Sequence, residues 1–332
     1  MTMRRFERMG RPAAAAAAAL ALVLAVPAAR AEAIKVDQKI PVYKKTSGVS
    51  GTLSSVGSDT MNNLMTLWAE GFARHYPGAR VQVEGKGSST APPALIAGTA
   101  QLGPMSRPMK SSEIDQFEQK YGFKPTELKT SLDALAVYVN RDNPIRSLSL
   151  NQADAIFSKT RKLGAAADIS SWGQLGLDGD WAARPISLYG RNSASGTYGY
   201  FKEHALGKGD YKDQVKEQPG SASVVQGVGE DRFGIGYSGI GYMTSGVRAV
   251  PISERVDAPP REATYANALD GSYPLARHLL LYVARDPKKP LDPLLREFGR
   301  FIFSREGQEI VVKDGYMPLP ADLCLAESRK LE

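Results

Sequence analysis

The run Arg191-Asn192-Ser193-Ala194-Ser195-Gly196-Thr197 combines a fixed cation, three hydroxyl groups and a glycine. It follows a short apolar segment, 186–189, and precedes a segment, 197–206, that is predicted to be helical. A helix N-terminus presents unpaired N–H donors and about half a positive charge, and both features favour anions. Arg191 adds a forked donor that stays protonated at any working pH. The run is therefore suited to a small tetrahedral anion.

Three other turns rich in glycine, serine and threonine repeat this order of strand, polar turn and helix. They are Val56-Gly57-Ser58-Asp59-Thr60, Gly85-Lys86-Gly87-Ser88-Ser89-Thr90 and Gly103-Pro104-Met105-Ser106-Arg107. An ordinary hydroxyl N-cap explains any one of these turns taken alone. In open α/β sheets, however, ligands collect at the carboxyl ends of the strands. The repetition therefore predicts that the turns form one anion cradle.

Residues 1–31 have the pattern of a secretory signal peptide. Four arginines precede an apolar run over 12–26, and Ala29-Arg30-Ala31 offers small residues for cleavage after Ala31. The apolar run is short for a membrane span, although an uncleaved anchor is the alternative. We therefore expect an exported, periplasmic mature chain.

Charge and composition exclude several classes of function. The chain carries a net charge of +7, of which residues 1–31 hold +4 through five arginines and one glutamate, which leaves +3. This small surplus suits an anionic ligand and is weak ground for nucleic-acid binding. A single cysteine, Cys324, excludes an intrachain disulfide. The three histidines, His75, His204 and His278, lack ligand-spaced partners, so no metal or other cofactor is expected.

The elements that must position these turns alternate between strand and helix, which predicts an α/β protein with mainly parallel sheets. Met61, Leu64, Met65, Trp68 and Phe72 recur at helical spacing and predict one buried helix face. Residues 32–50 lack such periodicity and are expected to form a mobile or loosely attached leader.

Two apolar extended segments, 132–139 and 278–283, are candidates for crossings between two lobes. The first lobe would contain 51–136 and 282–332, and the second lobe would contain 137–281. This division places Ser58, Ser88 and Ser106 on one lobe and the run from Arg191 to Thr197 on the other. Such a clamp closes around its ligand by a hinge motion.

The motifs Gly-Ser-Asp-Thr, Gly-Lys-Gly-Ser-Ser-Thr-Ala-Pro, Gly-Pro-Met-Ser-Arg and Arg-x-x-x-Ser-Gly-Thr occur in that order. Over about residues 50–320 the chain resembles the phosphate-binding proteins of bacterial phosphate ABC transporters, supported by Gly234-Ile-Gly-Tyr-Ser238 and Tyr316-Met-Pro-Leu319. The resemblance implies a two-lobed periplasmic-binding-protein fold of type II with a two-segment hinge. It also implies high-affinity binding of inorganic phosphate in the cleft, delivery to a membrane ABC permease, no catalysis and a monomer.

By the same resemblance, Ser88 matches the family serine that donates to phosphate from a helix start. A hydroxyl of Ser58 or Thr60, with backbone N–H groups, is expected to fill a neighbouring position. The family's arginine-serine-glycine-threonine clamp is matched by Arg191, Ser195, Gly196 and Thr197.

The chain also departs from the family pattern. Ser106-Arg107 stands where family members place an aspartate that accepts the proton of hydrogen phosphate, and Ser193 replaces the acid that orients the clamp arginine. Asp59 either supplies the missing acceptor or caps a helix and faces away from the ligand. Phosphate is favoured over sulfate, and both Ser106 and Arg107 are expected at the ligand.

Two other functions are alternatives to phosphate transport. An oxyanion sensor or scavenger without a permease has the same sequence features. An exported phosphate-ester hydrolase is the main alternative from another class, but no Gly-x-Ser-x-Gly elbow or metal-ligand cluster is visible in the sequence. Lys86-Gly87-Ser88 lacks the order of an ATP-binding phosphate loop.

Overall fold

A computed structural model of the protein describes residues 1–2 and 34–332. The predicted signal peptide and its cleavage site lie outside the described residues, apart from the first two. In the described part of the chain, no helix is both long enough and apolar enough to cross a membrane.

Ten helices follow the predicted alternation within the described residues, and we number them in chain order. Helix α1 buries Leu64, Met65, Trp68 and Phe72, which confirms the predicted apolar face. The helices are α1 (Asn62–His75), α2 (Ala91–Ala97), α3 (Ser111–Tyr121), α4 (Leu150–Phe157), α5 (Gly196–His204), α6 (Ser221–Glu230), α7 (Tyr265–Leu269), α8 (Pro293–Ile302), α9 (Arg305–Lys313) and α10 (Ala321–Arg329).

Short 3-10 helices at Asp59–Met61 and Ser88–Thr90 precede α1 and α2. Both therefore lie in the predicted polar turns. The strands are β1 (Gly51–Val56), β2 (Ala79–Glu84), β3 (Gly103–Met105), β4 (Thr126–Asn140), β5 (Leu148–Ser149), β6 (Ser187–Arg191), β7 (Lys216–Gln218), β8 (Gly234–Gly239), β9 (Val247–Ala249), β10 (Ile252–Ser253) and β11 (Ala276–Val283).

The sheets are mixed, which corrects the prediction of mainly parallel pairing. The largest sheet has the order β3-β11-β4-β8-β6-β7, with β9 also on β4, while β1 and β2 pair separately in parallel. Strand β6 is parallel to β7 and β8, but β4 is antiparallel to β8, β9 and β11. The physical reason is that the chain returns along β11 in the direction opposite to β4, so these two long strands pair antiparallel.

The pairing of β11 concerns the predicted boundary between the second lobe and the return to the first. From Ala276 onward, β11 pairs with the first half of β4, and Leu280 to Tyr282 pair with β3. Residues 276–281 therefore pair with strands that the prediction assigns to the first lobe. The other lobe bounds remain predictions.

The segment 34–50 is attached to the core, so the expectation of a loosely held leader is wrong for these residues. Val36, Ile40 and Tyr43 are buried in the main hydrophobic core. The Tyr43 hydroxyl donates to Glu297 Oε2 at 3.0 Å. These contacts join residues far apart in sequence, and local periodicity does not record such contacts.

Candidate anion-binding site

The four predicted polar turns meet at one place, where β1, β2, β3 and β6 end. Backbone hydrogen bonds tie the turns after β1, β2 and β3 together and connect them to the turn after β6. The bonds run from Gly87 N to Gly57 O (2.8 Å), from Ser58 N to Pro104 O (2.8 Å) and from Ser89 N to Ala194 O (3.0 Å).

A cluster of four buried hydroxyl groups lies at this meeting point. Thr60 Oγ1 and Thr197 Oγ1 are 2.8 Å apart, and Ser88 Oγ lies 3.2 Å from Ser106 Oγ. Thr197 Oγ1 also reaches Ser106 Oγ at 3.5 Å, which connects the two pairs. Each residue contributes from a different turn, so the structure brings together predicted residues from all four. We call Thr60, Ser88, Ser106 and Thr197 the hydroxyl cluster.

Helix α5 begins directly against the hydroxyl cluster. Ser195 caps this helix, because its Oγ accepts from the N–H groups of Thr197 (3.1 Å) and Tyr198 (3.3 Å). A Cβ atom at Gly196 would lie 2.3 Å from Ser88 Oγ and 2.6 Å from Ser106 Oγ. Only glycine therefore lets the positive end of α5 approach the hydroxyl groups this closely.

Arg191 is buried at the end of β6, with 1% of its surface exposed. Its Nη1 donates to Ser221 Oγ at 2.6 Å, and its Nη2 lies 2.9 Å from Asp59 Oδ1. Burial lowers the pKa of Arg191, while the negative charge of Asp59 acts in the opposite direction. A guanidinium still keeps its proton, so a fixed positive charge is held at the site.

Two buried polar atoms at the site lack a hydrogen-bond partner among the described residues: Arg191 Nε and Ser58 Oγ. Buried polar groups are almost always paired, so such atoms call for an explanation. The backbone N–H of Ser58 is already bonded, which holds its turn in place. An oxyanion in the cleft would supply acceptors for both the hydroxyl and the guanidinium N–H.

Asp59 holds Arg191 and the start of α6 rather than capping its own turn. Its Oδ1 accepts from Ser221 N (2.8 Å) and Ser221 Oγ (2.9 Å) in addition to its ion pair with Arg191. Neither alternative from the sequence describes this arrangement, because the carboxylate serves a helix and an arginine from distant parts of the chain. The acid that orients Arg191 is thus Asp59.

Two predicted ligand residues, Arg107 and Ser193, make no side-chain hydrogen bond to the hydroxyl cluster in the described residues. Arg107 is bound through both terminal nitrogens to the Glu113 carboxylate, at 2.7 and 2.8 Å. Burial opposes ionisation of Glu113, but the bonds from Arg107 prevail and lower its pKa. Ser193 is exposed and makes no side-chain hydrogen bond within residues 34–332. Ser193 was predicted among the ligand residues, and that stays a prediction; the acid beside Arg191 is Asp59.

Sequence analysis missed a second buried ion pair, between Arg277 and Asp133. Arg277 donates to Asp133 Oδ2 from Nε (2.9 Å) and Nη2 (2.7 Å), and its Nη2 also reaches Thr197 Oγ1 at 3.0 Å. Arg277 Nη1 donates to the carbonyl oxygen of Ser106 at 2.8 Å. The available signal was Asp133 inside the first apolar crossing segment and Arg277 directly before the second, because a charge there is costly unless it is paired.

Ser221 was also missed, although Gly220-Ser221 opens α6 in the same way as the predicted turns. Taken together, the site offers hydroxyl groups, a helix start and the unpartnered Nε–H of Arg191 near the four polar turns of the described chain. This set supplies donors to an oxyanion from several directions, which is the requirement for burying such an ion.

Comparison with known proteins gives one family and several relatives. The model of the PBP superfamily domain matches residues 44–306. The phosphate-binding protein PstS of Pseudomonas aeruginosa is 58% identical over 286 residues, which is 86% of this chain and 88% of that protein. Protein SphX of Synechococcus elongatus is 27% identical over 86% of this chain and 83% of its own length.

Solved structures have the same architecture. A phosphate ABC transporter substrate-binding protein from Clostridium perfringens, with bound phosphate, superposes with a TM-score of 0.68 at 25% identity. It matches over its whole length and over 81% of this chain. An ABC-type phosphate transport receptor from Vibrio cholerae gives a TM-score of 0.63 at 23% identity, over 80% of this chain and all of that one.

Proposed function

Because this chain belongs to the PBP superfamily and, within it, to the family of PstS phosphate-binding proteins, we propose that it binds inorganic phosphate for uptake by an ABC transporter. The chain has the two-lobed fold of type II periplasmic binding proteins. The observation that carries the proposal for this site is the pair of unsatisfied buried donors, Arg191 Nε and Ser58 Oγ.

We assign the phosphate to the cleft where the hydroxyl cluster, Ser58 and Arg191 meet. A hydrogen bond to a charged group contributes on the order of 1.5–3 kcal/mol. Several such bonds, less the free energy lost on association and lobe closure, are consistent with micromolar or tighter binding. The proposed direct ligands are Ser58, Thr60, Ser88, Ser106, Arg191, Gly196 through its backbone N–H, and Thr197.

Lobe closure is part of this proposal. The first lobe would contain 51–136 and the chain from β11 onward, and the second lobe would contain the residues between. Thr60 to Thr197 and Ser89 to Ala194 are then hydrogen bonds across the cleft. These bonds belong to a closed form, and release of phosphate requires that they break.

We further propose that the mature chain is a monomeric periplasmic receptor that hands phosphate to a membrane permease and catalyses no reaction. The pattern of residues 1–31 supports export. The donor-rich site supports binding rather than hydrolysis, because its described hydroxyl groups contact one another and Arg277 rather than a histidine base.

Calorimetric titration of the mature chain, stripped of bound ligand by partial unfolding and dialysis, tests the proposal. We expect phosphate to bind 1:1 with a dissociation constant in the micromolar range or below. Sulfate should bind much more weakly. Equal affinity for both anions would contradict phosphate selectivity, and silence with both would overturn the receptor assignment. Turnover of a phosphomonoester would favour the hydrolase instead. Co-purification with the permease would separate a transport receptor from a sensor or scavenger.

A further inference from the structure

We propose that Asp59 is a positioning residue that latches the closed cleft, so that Arg191 is aimed at the anion only when the lobes are together. The inference rests on the proposed phosphate site and deepens it. It assigns to Asp59 a part in retaining the ligand, distinct from contact with the ligand itself.

Three hydrogen-bonding contacts converge on one oxygen of Asp59. Its Oδ1 lies 2.9 Å from Arg191 Nη2, and it accepts from the N–H and the hydroxyl of Ser221 at 2.8 and 2.9 Å. Ser221 Oγ in turn accepts from Arg191 Nη1 at 2.6 Å, which closes a small network. All partners of this carboxylate are therefore on the far side of the cleft from the turn after β1.

The electrostatics of this network favour a latch. Arg191 is almost completely buried, whereas the Asp59 side chain retains 22% of its exposure. A buried guanidinium is costly unless a negative charge compensates it. Asp59 also places negative charge at the N-terminus of α6, whose own N-cap, Gly220, has no side chain to accept a bond. Opening the cleft removes both stabilising interactions at once.

The same geometry argues against Asp59 as the acceptor of a ligand proton. Oδ1 already accepts from three donors, and Oδ2 lies against Gly220, where an added Cβ would be 3.1 Å away. The backbone is held as well, because the Tyr242 hydroxyl donates to the Asp59 carbonyl oxygen at 3.0 Å. The carboxylate is thus directed toward α6 and Arg191.

A latch that forms only in the closed state acts on release. We expect Asp59→Asn and Asp59→Ala to increase the phosphate dissociation rate constant about 10-fold and about 100-fold, since bonds between charged groups are among the stronger hydrogen bonds. The association rate constant should change by less than about 3-fold, because most affinity changes within one interface lie in dissociation.

A double-mutant cycle then tests whether Asp59 acts through Arg191. In an Arg191→Lys background, which keeps a cation but loses the fork, Asp59→Asn should have much less effect than in the wild type. Stopped-flow release and calorimetry on the mature chain provide both sets of constants. Asp292→Asn is the matched control, because Asp292 caps α8 through Leu295 N at 3.0 Å and lies outside this network.

The outcomes separate the latch from other roles. The latch is overturned if Asp59→Asn releases phosphate at the wild-type rate. It is also overturned if the fold-changes of Asp59→Asn and Arg191→Lys simply multiply in the double variant. A loss of phosphate affinity with sulfate affinity unchanged would instead make Asp59 the proton acceptor. If the wild type itself fails to bind phosphate, the proposed function fails, and that result is obtained before any variant is measured.

Discussion

Two arginines, both almost fully buried and each paired with an aspartate, lie near the predicted polar turns, yet they are used differently. Arg277 places Nε, Nη1 and Nη2 on protein acceptors: Asp133, the Ser106 carbonyl and Thr197. Arg191 bonds through its two terminal nitrogens, but its buried Nε is left without a partner in the part of the chain that the structure describes.

The contrast separates an arginine that holds the site from one that is prepared for a ligand. Arg277 joins β11 to β4, which carries Asp133. It also donates to the carbonyl oxygen of Ser106 and to the hydroxyl of Thr197. Arg191 keeps one donor free of protein partners, as an anion site requires. Burial and pairing alone would not distinguish the two residues, whereas a count of their satisfied donors does.

The largest expected effect comes from breaking the fully satisfied pair. Arg277→Ala leaves Asp133, which is 0% exposed, as a buried charge without a cation. Loss of one partner of a buried pair costs ~3–5 kcal/mol, so denaturant unfolding should show a fall of this size in the free energy of unfolding. The double variant Asp133→Leu/Arg277→Met should recover much of it. A loss below about 1 kcal/mol in the single variant would contradict a scaffold role.

Arg191→Ala should instead act on binding. Removing the charge and the fork is expected to weaken phosphate affinity on the order of 100- to 1,000-fold, because each lost bond to the anion contributes ~1.5–3 kcal/mol. Calorimetry measures this loss, and denaturant unfolding of the ligand-free variant shows whether the fold is intact. Near-wild-type affinity in a folded variant would refute the assignment of Arg191 as the clamp arginine.

Among the described residues, Ser55, Ser58 and Ser131 have buried hydroxyls without a hydrogen-bond partner, and the last two sharpen the comparison further. Ser58 belongs to the turn at the site, whereas Ser131 lies on β4, two residues before Asp133. Ser58→Ala should reduce phosphate affinity about 10-fold, since the anion loses a hydroxyl donor. Ser131→Ala should leave affinity unchanged within error. Equal titration curves for the two variants would show that Ser58 does not contact the anion.

The last comparison concerns a carboxylate for which the described residues provide no arginine partner. Burial raises the pKa of Asp314 to about 7, from a usual value of 3.8. Between these values the folded protein holds a proton that the unfolded chain releases, so stability falls as pH rises from about 4 to about 7. Asp314→Asn should remove this fall and stabilise the protein at pH 8 more than at pH 5, as thermal unfolding will show. A wild-type dependence on pH in the variant would exclude Asp314 as its source.

Much of the site was predictable because its parts are local in sequence. Each polar turn shows its strand, its small residues and its helix within a few positions, and the apolar face of α1 follows from helical spacing. Thr60, Ser88, Ser106 and Thr197 were singled out from these local patterns, although β6 is not a parallel neighbour of β1, β2 or β3.

The partners of charged groups were not predictable in the same way. Arg107 appeared suitable for a ligand, but Glu113, at the third position of α3, reaches back and neutralises it. Asp133 and Arg277 are 144 positions apart in the chain, and no spacing rule connects them. The attachment of Val36 and Ile40 to the core was missed for the same reason.

The sequence alone thus determined where anion-binding turns occur, which helix faces are buried and that an arginine opens the clamp, because these properties depend on neighbours along the chain. The tertiary structure decided which carboxylate meets which arginine and which donor is left over. Since a buried charge is tolerable only beside its partner, that choice rests on tertiary contacts: Arg107 and Arg277 are paired with carboxylates, whereas Arg191 Nε has no partner among the described residues.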